Sequence, residues 1–151
     1  LGEGEEIKML VSQILKKKGD NVFTIGPNET IGSASTLLHR GRVGALVVQD
    51  EAEAVVGIIS ERDVVRAVAE AGAAALLQPV SRSMSAEVIF AEPTESIDEL
   101  LARMTDRRVR HLPVCRDHRL VGIVSIGDLV KVKIAEAEHE AETLKNYIAA
   151  G

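Results

Sequence analysis

Apolar positions along the chain follow two rhythms, and the order of these rhythms occurs twice. A short apolar run, Val22–Ile25, predicts a strand that ends at a proline turn. Ile31, Ala34 and Leu38 then recur at helical spacing behind Thr30, a natural N-cap. A second run, Ala45–Val48, is followed by a polar turn (Gln49–Ala54), a third run (Val55–Ile59) and a second helix behind Ser60. The same order returns downstream. Val88–Ala91 predicts the strand, and Ile97, Leu100 and Met104 the helix behind Ser96. Leu112–Val114, the turn Arg116–Arg119, Leu120–Val124 and a helix behind Ser125 complete it. Sliding the sequence by 66 residues lays Pro27-Asn28-Glu29-Thr30-Ile31 on Pro93-Thr94-Glu95-Ser96-Ile97, and Arg42-Val43 on Arg108-Val109. After a one-residue deletion in the turn, Val56-Gly57-Ile58-Ile59-Ser60 falls on Val121-Gly122-Ile123-Val124-Ser125. The predicted unit is β-α-β-β-α, present twice.

A unit of this size buries too little surface to be robust alone. Two sheets packed around a pseudo-two-fold axis, with one shared core, are expected. The fold class is α+β with flanking terminal helices. The expected division is 1–20 as an N-terminal segment and helix, 21–78 as repeat 1, 79–134 as repeat 2 and 135–151 as a C-terminal extension. Ala71–Pro79 reads as the joint. Residues 5–18 predict an amphipathic helix through Ile7, Leu10, Val11, Ile14 and Leu15. From Ser125 onward the chain predicts one long helix, with a heptad-like stripe of Val130, Ile134, Ala137, Ala141, Leu144 and Ile148. That stripe fits either packing on its own module or meeting its copy in a homodimer.

Composition narrows the function. The formal net charge is −5 and aromatic residues are 2 %. This opposes a general nucleic-acid binder, which needs a basic footprint and stacking platforms. Cys115 is the only cysteine, and His39, His118 and His139 lack metal spacing, so no disulfide, structural metal or catalytic cofactor is expected. No apolar run reaches membrane-span length and nothing at the start resembles a signal peptide, so a reducing, cytoplasmic compartment and no membrane are expected.

Gly-x-x-Ser-x-x-Asp occurs in both copies, as Gly57…Ser60…Asp63 and Gly122…Ser125…Asp128. A strand ends, Ser caps a helix, and Asp enters its first turn. A helix N-terminus offers unpaired N–H groups and partial positive charge, a setting for phosphate. The hydroxyl can donate to phosphate, and the carboxylate can accept both hydrogens of a ribose diol. The plain alternative is helix capping, worth about 1 kcal/mol. Capping does not require the same acid in both copies.

With Val43-Gly44-Ala45-Leu46-Val47-Val48, Val109-Arg110-His111-Leu112-Pro113-Val114 and Val80-Ser81-Arg82-Ser83-Met84, the duplicated motifs resemble a tandem pair of cystathionine-beta-synthase (CBS) domains, the Bateman module. The resemblance spans roughly residues 8–133. It leaves no catalytic domain over, so a stand-alone, non-enzymatic module is expected. It implies adenosine-containing ligands (AMP, ADP, ATP, NAD(H) or S-adenosylmethionine) in two clefts between the repeats. It assigns Asp63 and Asp128 to ribose and Ser60 and Ser125 to phosphate. Adenine falls to Val22, Phe23, Thr24 with Val43, Gly44, Ala45, and to Val88, Ile89 with Val109, Arg110, His111. Lys18 and Met84 occupy matching positions just upstream. Arg62, Arg110 and His111 are the phosphate donors to test, with Arg66 and Lys131 more peripheral. An unperturbed His111 titrates near neutrality and gives nucleotide affinity a pH dependence.

The leading reading is a regulatory adenine-nucleotide sensor of energy or redox state, AMP or NAD(H) first, dimeric, with an unidentified protein target. The alternative is a purely structural interaction and dimerisation module without a physiological nucleotide. An enzyme is the remote third: His111 and Cys115 share a strand face by spacing, but no oxyanion site or third member accompanies them.

Overall fold

The computed structural model describes residues 9–19 and 22–150. Helix α1 spans Val11–Lys18. The first repeat has strand β1 (Thr24–Ile25), helix α2 (Ile31–Gly41), strands β2 (Ala45–Gln49) and β3 (Val55–Ser60), and helix α3 (Glu61–Ala71). Two 3-10 segments, Gly72–Leu77 and Val80–Arg82, form the joint. The second repeat has helix α4 (Ile97–Arg107), strands β4 (His111–Arg116) and β5 (Arg119–Ser125), and helix α5 (Ile126–Ala150). The α+β class and the duplicated order are those of the sequence pattern. The expected N-terminal helix is shorter, since Leu10 is extended at φ −99°, ψ 156°, and Ile7 lies outside the described residues.

In repeat 1, β1 pairs in parallel with β2, and β2 runs antiparallel to β3. In repeat 2, β4 and β5 are antiparallel, and the expected strand Val88–Ala91 shrinks to a single parallel bridge between Ala91 and Val114. The cause is one residue. In repeat 1 the Val47 amide donates to the Phe23 carbonyl at 3.3 Å. Position 113, the counterpart of Val47, is proline and has no N–H to offer the Ile89 carbonyl. Only Ala91 keeps its ladder bonds, donating to Pro113 O at 2.9 Å and accepting from Cys115 N at 3.0 Å. The strand expected over Val22–Ile25 likewise narrows to its last two residues.

The leading segments are exchanged between the repeats. Val11 N donates to Glu95 O and Ser12 N to Pro93 O, each at 3.0 Å, so α1 docks on repeat 2. Val80 N donates to Glu29 O at 2.8 Å and Ser81 N to Pro27 O at 2.9 Å, so the joint docks on repeat 1. Packing follows the same rule. Val11, Ile14 and Leu15 share a core with Ile97, Leu100, Met104, Leu112, Val124 and Leu129. Val80 is buried with Ile25, Leu38, Leu46, Val48 and Ile59, and Met84 packs against them. Each such aliphatic side chain contributes about 1.5–3 kcal/mol on full burial. The single shared core expected from sequence is therefore divided. The two main cores lie between each sheet and its helices; one small cluster (Ile31, Ala67, Ala75) ties α2 and α3 to the joint, and another (Ala45, Val47, Ile123) joins the sheets.

The exchange explains the motif glycines. A methyl on Gly57 would overlap Met84 Sδ, and one on Gly122 would overlap Leu15 Cδ2. Met84 and Leu15 are thus the structural counterparts. The sequence expectation that Lys18 matches Met84 is corrected: the register upstream of the first strand differs by three residues, 19–21, which lie only in the first copy.

Candidate functional site

Both Ser-x-x-Asp turns cap helices. At the end of β3, Asp63 Oδ2 accepts from the Ser60 amide (2.8 Å) and the Ser60 hydroxyl (3.0 Å), while the Asp63 amide donates back to Ser60 Oγ at 3.3 Å. This is a reciprocal capping box. The hydroxyl proton expected to meet phosphate is directed instead at Asp63. Asp63 Oδ1 faces Arg66 Nη1 at 3.6 Å, leaving that oxygen loosely engaged. At the end of β5, Asp128 Oδ2 accepts from the Ser125 amide (2.9 Å), and the Asp128 amide donates to Ser125 Oγ (3.1 Å). There Lys18 Nζ also reaches Asp128 Oδ2 at 2.7 Å and Ile123 O at 3.0 Å. Burial resists ionisation of Asp128, but the Lys18 ammonium and the Ser125 amide outweigh it and hold the carboxyl below its ordinary value.

A cavity of about 550 Å³ opens over the first of these turns. Gly44, Ser60, Arg62 and Asp63 from repeat 1 line it together with Val88, Ile89, Val109, Arg110, His111 and Ser125 from repeat 2. Its size suits a nucleotide-sized ligand. The acid of one repeat therefore faces the strand approach of the other. Gly44 allows this closeness, since a Cβ there would stand 3.1 Å from His111 Nε2. Sequence reasoning missed Arg108 on this wall. Its signal was the duplicated Arg-Val pair: Arg42 and Arg108 both adopt left-handed conformation at helix C-caps, φ 52° and 55°. It also missed Glu61, Ser85 and Glu87, which carry no duplicated pattern.

The other sequence candidates lie elsewhere. Met84 packs beneath Gly57. Val22 and Thr24 line a separate open groove of about 960 Å³ beside the two hairpin turns. Phe23 covers Gly41, Val43 packs on the repeat 1 core, and Ala45 is buried between the sheets. Asp128 is held by Lys18 outside the 550 Å³ cavity.

The expectation that His111 titrates near neutrality is corrected. Burial first, then the Lys18 ammonium, push its pKa below the ordinary 6.5; Asp128 and Glu61 pull the other way, and Arg110 adds the smallest lowering effect. Burial and the Lys18 charge both favour the neutral ring. Cys115 does not line the cavity, and burial pushes its thiol pKa up, away from a nucleophilic thiolate. The β-bulge opposite Val114 and Cys115 falls on β5, where Val121 has no partner, so β4 keeps its alternation and His111 and Cys115 share a strand face as their spacing implies. Among the described residues no helix is long and apolar enough to cross a membrane.

Comparison with known proteins agrees with this architecture. A CBS-domain protein of Agrobacterium tumefaciens has a solved structure that is 43 % identical, with a TM-score of 0.80 over 88 % of this chain and 98 % of that one. The CBS domain pair of protein MJ0100, solved in complex with 5′-methylthioadenosine and S-adenosyl-L-methionine, is 27 % identical with a TM-score of 0.77, covering 85 % of this chain and 98 % of that chain. CBS domain-containing protein CBSX3, mitochondrial, of Arabidopsis thaliana is 33 % identical over 149 residues, 93 % of this chain and 72 % of the relative. The CBS domain profile matches twice, at residues 11–70 and 80–135, and the chain belongs to the CBS domain family.

Proposed function

We propose that the chain is a non-catalytic regulatory module that binds an adenine nucleotide in the Asp63 cleft. The observation that carries this reading is the cavity itself. It joins a capped helix N-terminus and an incompletely engaged carboxylate to an apolar strand approach from the other repeat. Asp63 Oδ1 would accept the ribose hydroxyls. Val88, Ile89 and Val109 would flank adenine, whose amino group finds an acceptor in the Ile89 carbonyl that Pro113 leaves outside the ladder. Arg62, Arg66, Arg108 and Arg110 line the same cavity and favour a phosphorylated ligand, AMP or NAD(H), over a sulfonium such as S-adenosylmethionine. The MJ0100 complex supports an adenosine ligand of some kind in a related pair.

The test is thermal unfolding with AMP, ADP, ATP, NAD+, NADH, 5′-methylthioadenosine and S-adenosylmethionine. A ligand at 100 times its Kd adds about 2.7 kcal/mol of stability. No shift with any of them at millimolar concentration would leave the structural-module reading standing.

A homodimer is the second element of the proposal. Ile134, Leu144, Tyr147 and Ile148 of α5 are 54–78 % exposed, and every residue from 137 to 150 is exposed. An isolated helical stretch of that length is marginal in water. A second copy covering the stripe supplies the missing packing. Sedimentation should give a dimer that Leu144→Glu with Ile148→Glu converts to monomer; an unchanged mass for the double variant removes the idea. A reducing compartment remains the proposed location, on the single cysteine.

A further inference from the structure

We propose that Lys18 is a latch on the Asp128 cleft, so that one chain offers one strong adenosine-ligand site rather than two. The proposal rests on the ligand reading above. The two Ser-x-x-Asp turns are equivalent in sequence and in backbone bonding, and they differ in what meets the carboxylate. Asp63 Oδ1 meets only a guanidinium at 3.6 Å. Asp128 Oδ2 is bound at 2.7 Å by an ammonium that is itself tied to Ile123 O at 3.0 Å. Side-chain exposures of 33 % for Lys18 and 23 % for Asp128 place the pair at a rim, where it can open.

The latch originates in the break of repeat symmetry. In the upstream register Val11 matches Val80, Leu15 matches Met84, and Lys18 therefore matches Glu87. Glu87 is exposed on the wall of the Asp63 cavity and, being acidic, cannot close on Asp63. A ribose diol approaching Asp128 must displace a charge-assisted bond, which lowers affinity about tenfold or more.

The experiment is calorimetric titration of the full chain with 5′-AMP. Wild type should take up one AMP per chain. Lys18→Met, which keeps the stem and loses the charge, should take up a second, with the affinity of that cleft raised about tenfold or more. Lys18→Arg should stay at one, and Asp128→Ala in the Lys18→Met background should remove the gain. Two equal sites in wild type, or, where wild type takes up AMP, no gain or a loss in Lys18→Met, would overturn the latch. The Asp128 carboxyl, followed by NMR in ligand-free protein, separates the two failures. A carboxyl pKa that rises in Lys18→Met upholds the latch even where AMP binds neither cleft, a result that would overturn the ligand reading instead. An unchanged carboxyl pKa would overturn the latch.

Discussion

The two Ser-x-x-Asp turns begin from the same seven-residue motif and end in different surroundings. On the Asp63 side, proline at 113 withdraws one ladder bond, strand pairing contracts to Ala91, and a cavity of about 550 Å³ opens between the repeats. On the Asp128 side, Val47 keeps its bond to Phe23, β1 stays paired, and the extra residues 19–21 follow a lysine that closes on the acid. The scaffold is symmetric, down to paired caps at Thr30 and Ser96 and paired left-handed arginines at 42 and 108. A duplicated motif sets where a site can form. Single departures from the repeat decide whether it is open.

Removing each acid in turn should separate the two sides most strongly. Asp63→Ala should lower nucleotide affinity by about 100-fold, from the loss of two hydrogen bonds to a charged acceptor. Asp128→Ala in otherwise wild-type protein should leave affinity within about twofold. Equal losses from both, measured by calorimetry, would mean that the clefts are equivalent. Next in size are the motif glycines. Gly57→Ala and Gly122→Ala force Met84 and Leu15 aside and should each cost about 1–3 kcal/mol in denaturant unfolding. Gly57→Ala should also weaken ligand binding, because its obstruction adjoins the open cavity, whereas Gly122→Ala should not.

A smaller effect comes from His111. Its folded pKa lies below the unfolded value, so the unfolded chain takes up the proton first. Its contribution to stability is complete above about pH 6.5 and is lost as pH falls through that value toward the folded pKa. His111→Gln should flatten the fall in Tm between about pH 7 and pH 5. A profile identical to wild type would show that the ring is not desolvated. Smallest is Pro113→Ala, which restores an N–H opposite Ile89. It should lengthen the strand pairing and weaken nucleotide binding by about two- to fivefold. Tighter binding would show that the Ile89 carbonyl does not read the ligand.

Much of this was legible in sequence, because the informative features were periodic. Helix starts at Thr30, Ser60, Ser96 and Ser125 follow from capping residues ahead of apolar spacing, and the hairpins follow from apolar runs around polar turns. The cleft was legible in its motif and in Val88, Ile89, Arg110 and His111. What escaped depends on three-dimensional exchange. Nothing local says that Leu15 lies over Gly122 while Met84 lies over Gly57, since those contacts join segments more than 25 residues apart. The His111 pKa escaped for a similar reason, as desolvation is a property of the assembled sheets. Pro113 was visible, but its effect required knowing that its partner is Ile89.

Helix α5 carries a mechanical consequence. Its first two residues, Ile126 and Gly127, line the Asp63 cavity, while every residue of its last turns is exposed. At 1.5 Å per residue, the 25-residue rod Ile126–Ala150 is about 37 Å long. A tilt of about 5° at its root therefore carries its tip about 3 Å, roughly the length of a hydrogen bond. The helix works as a pointer: a displacement too small to rearrange the cleft becomes, at Tyr147 and Ile148, large enough to make or break a contact with whatever lies beyond.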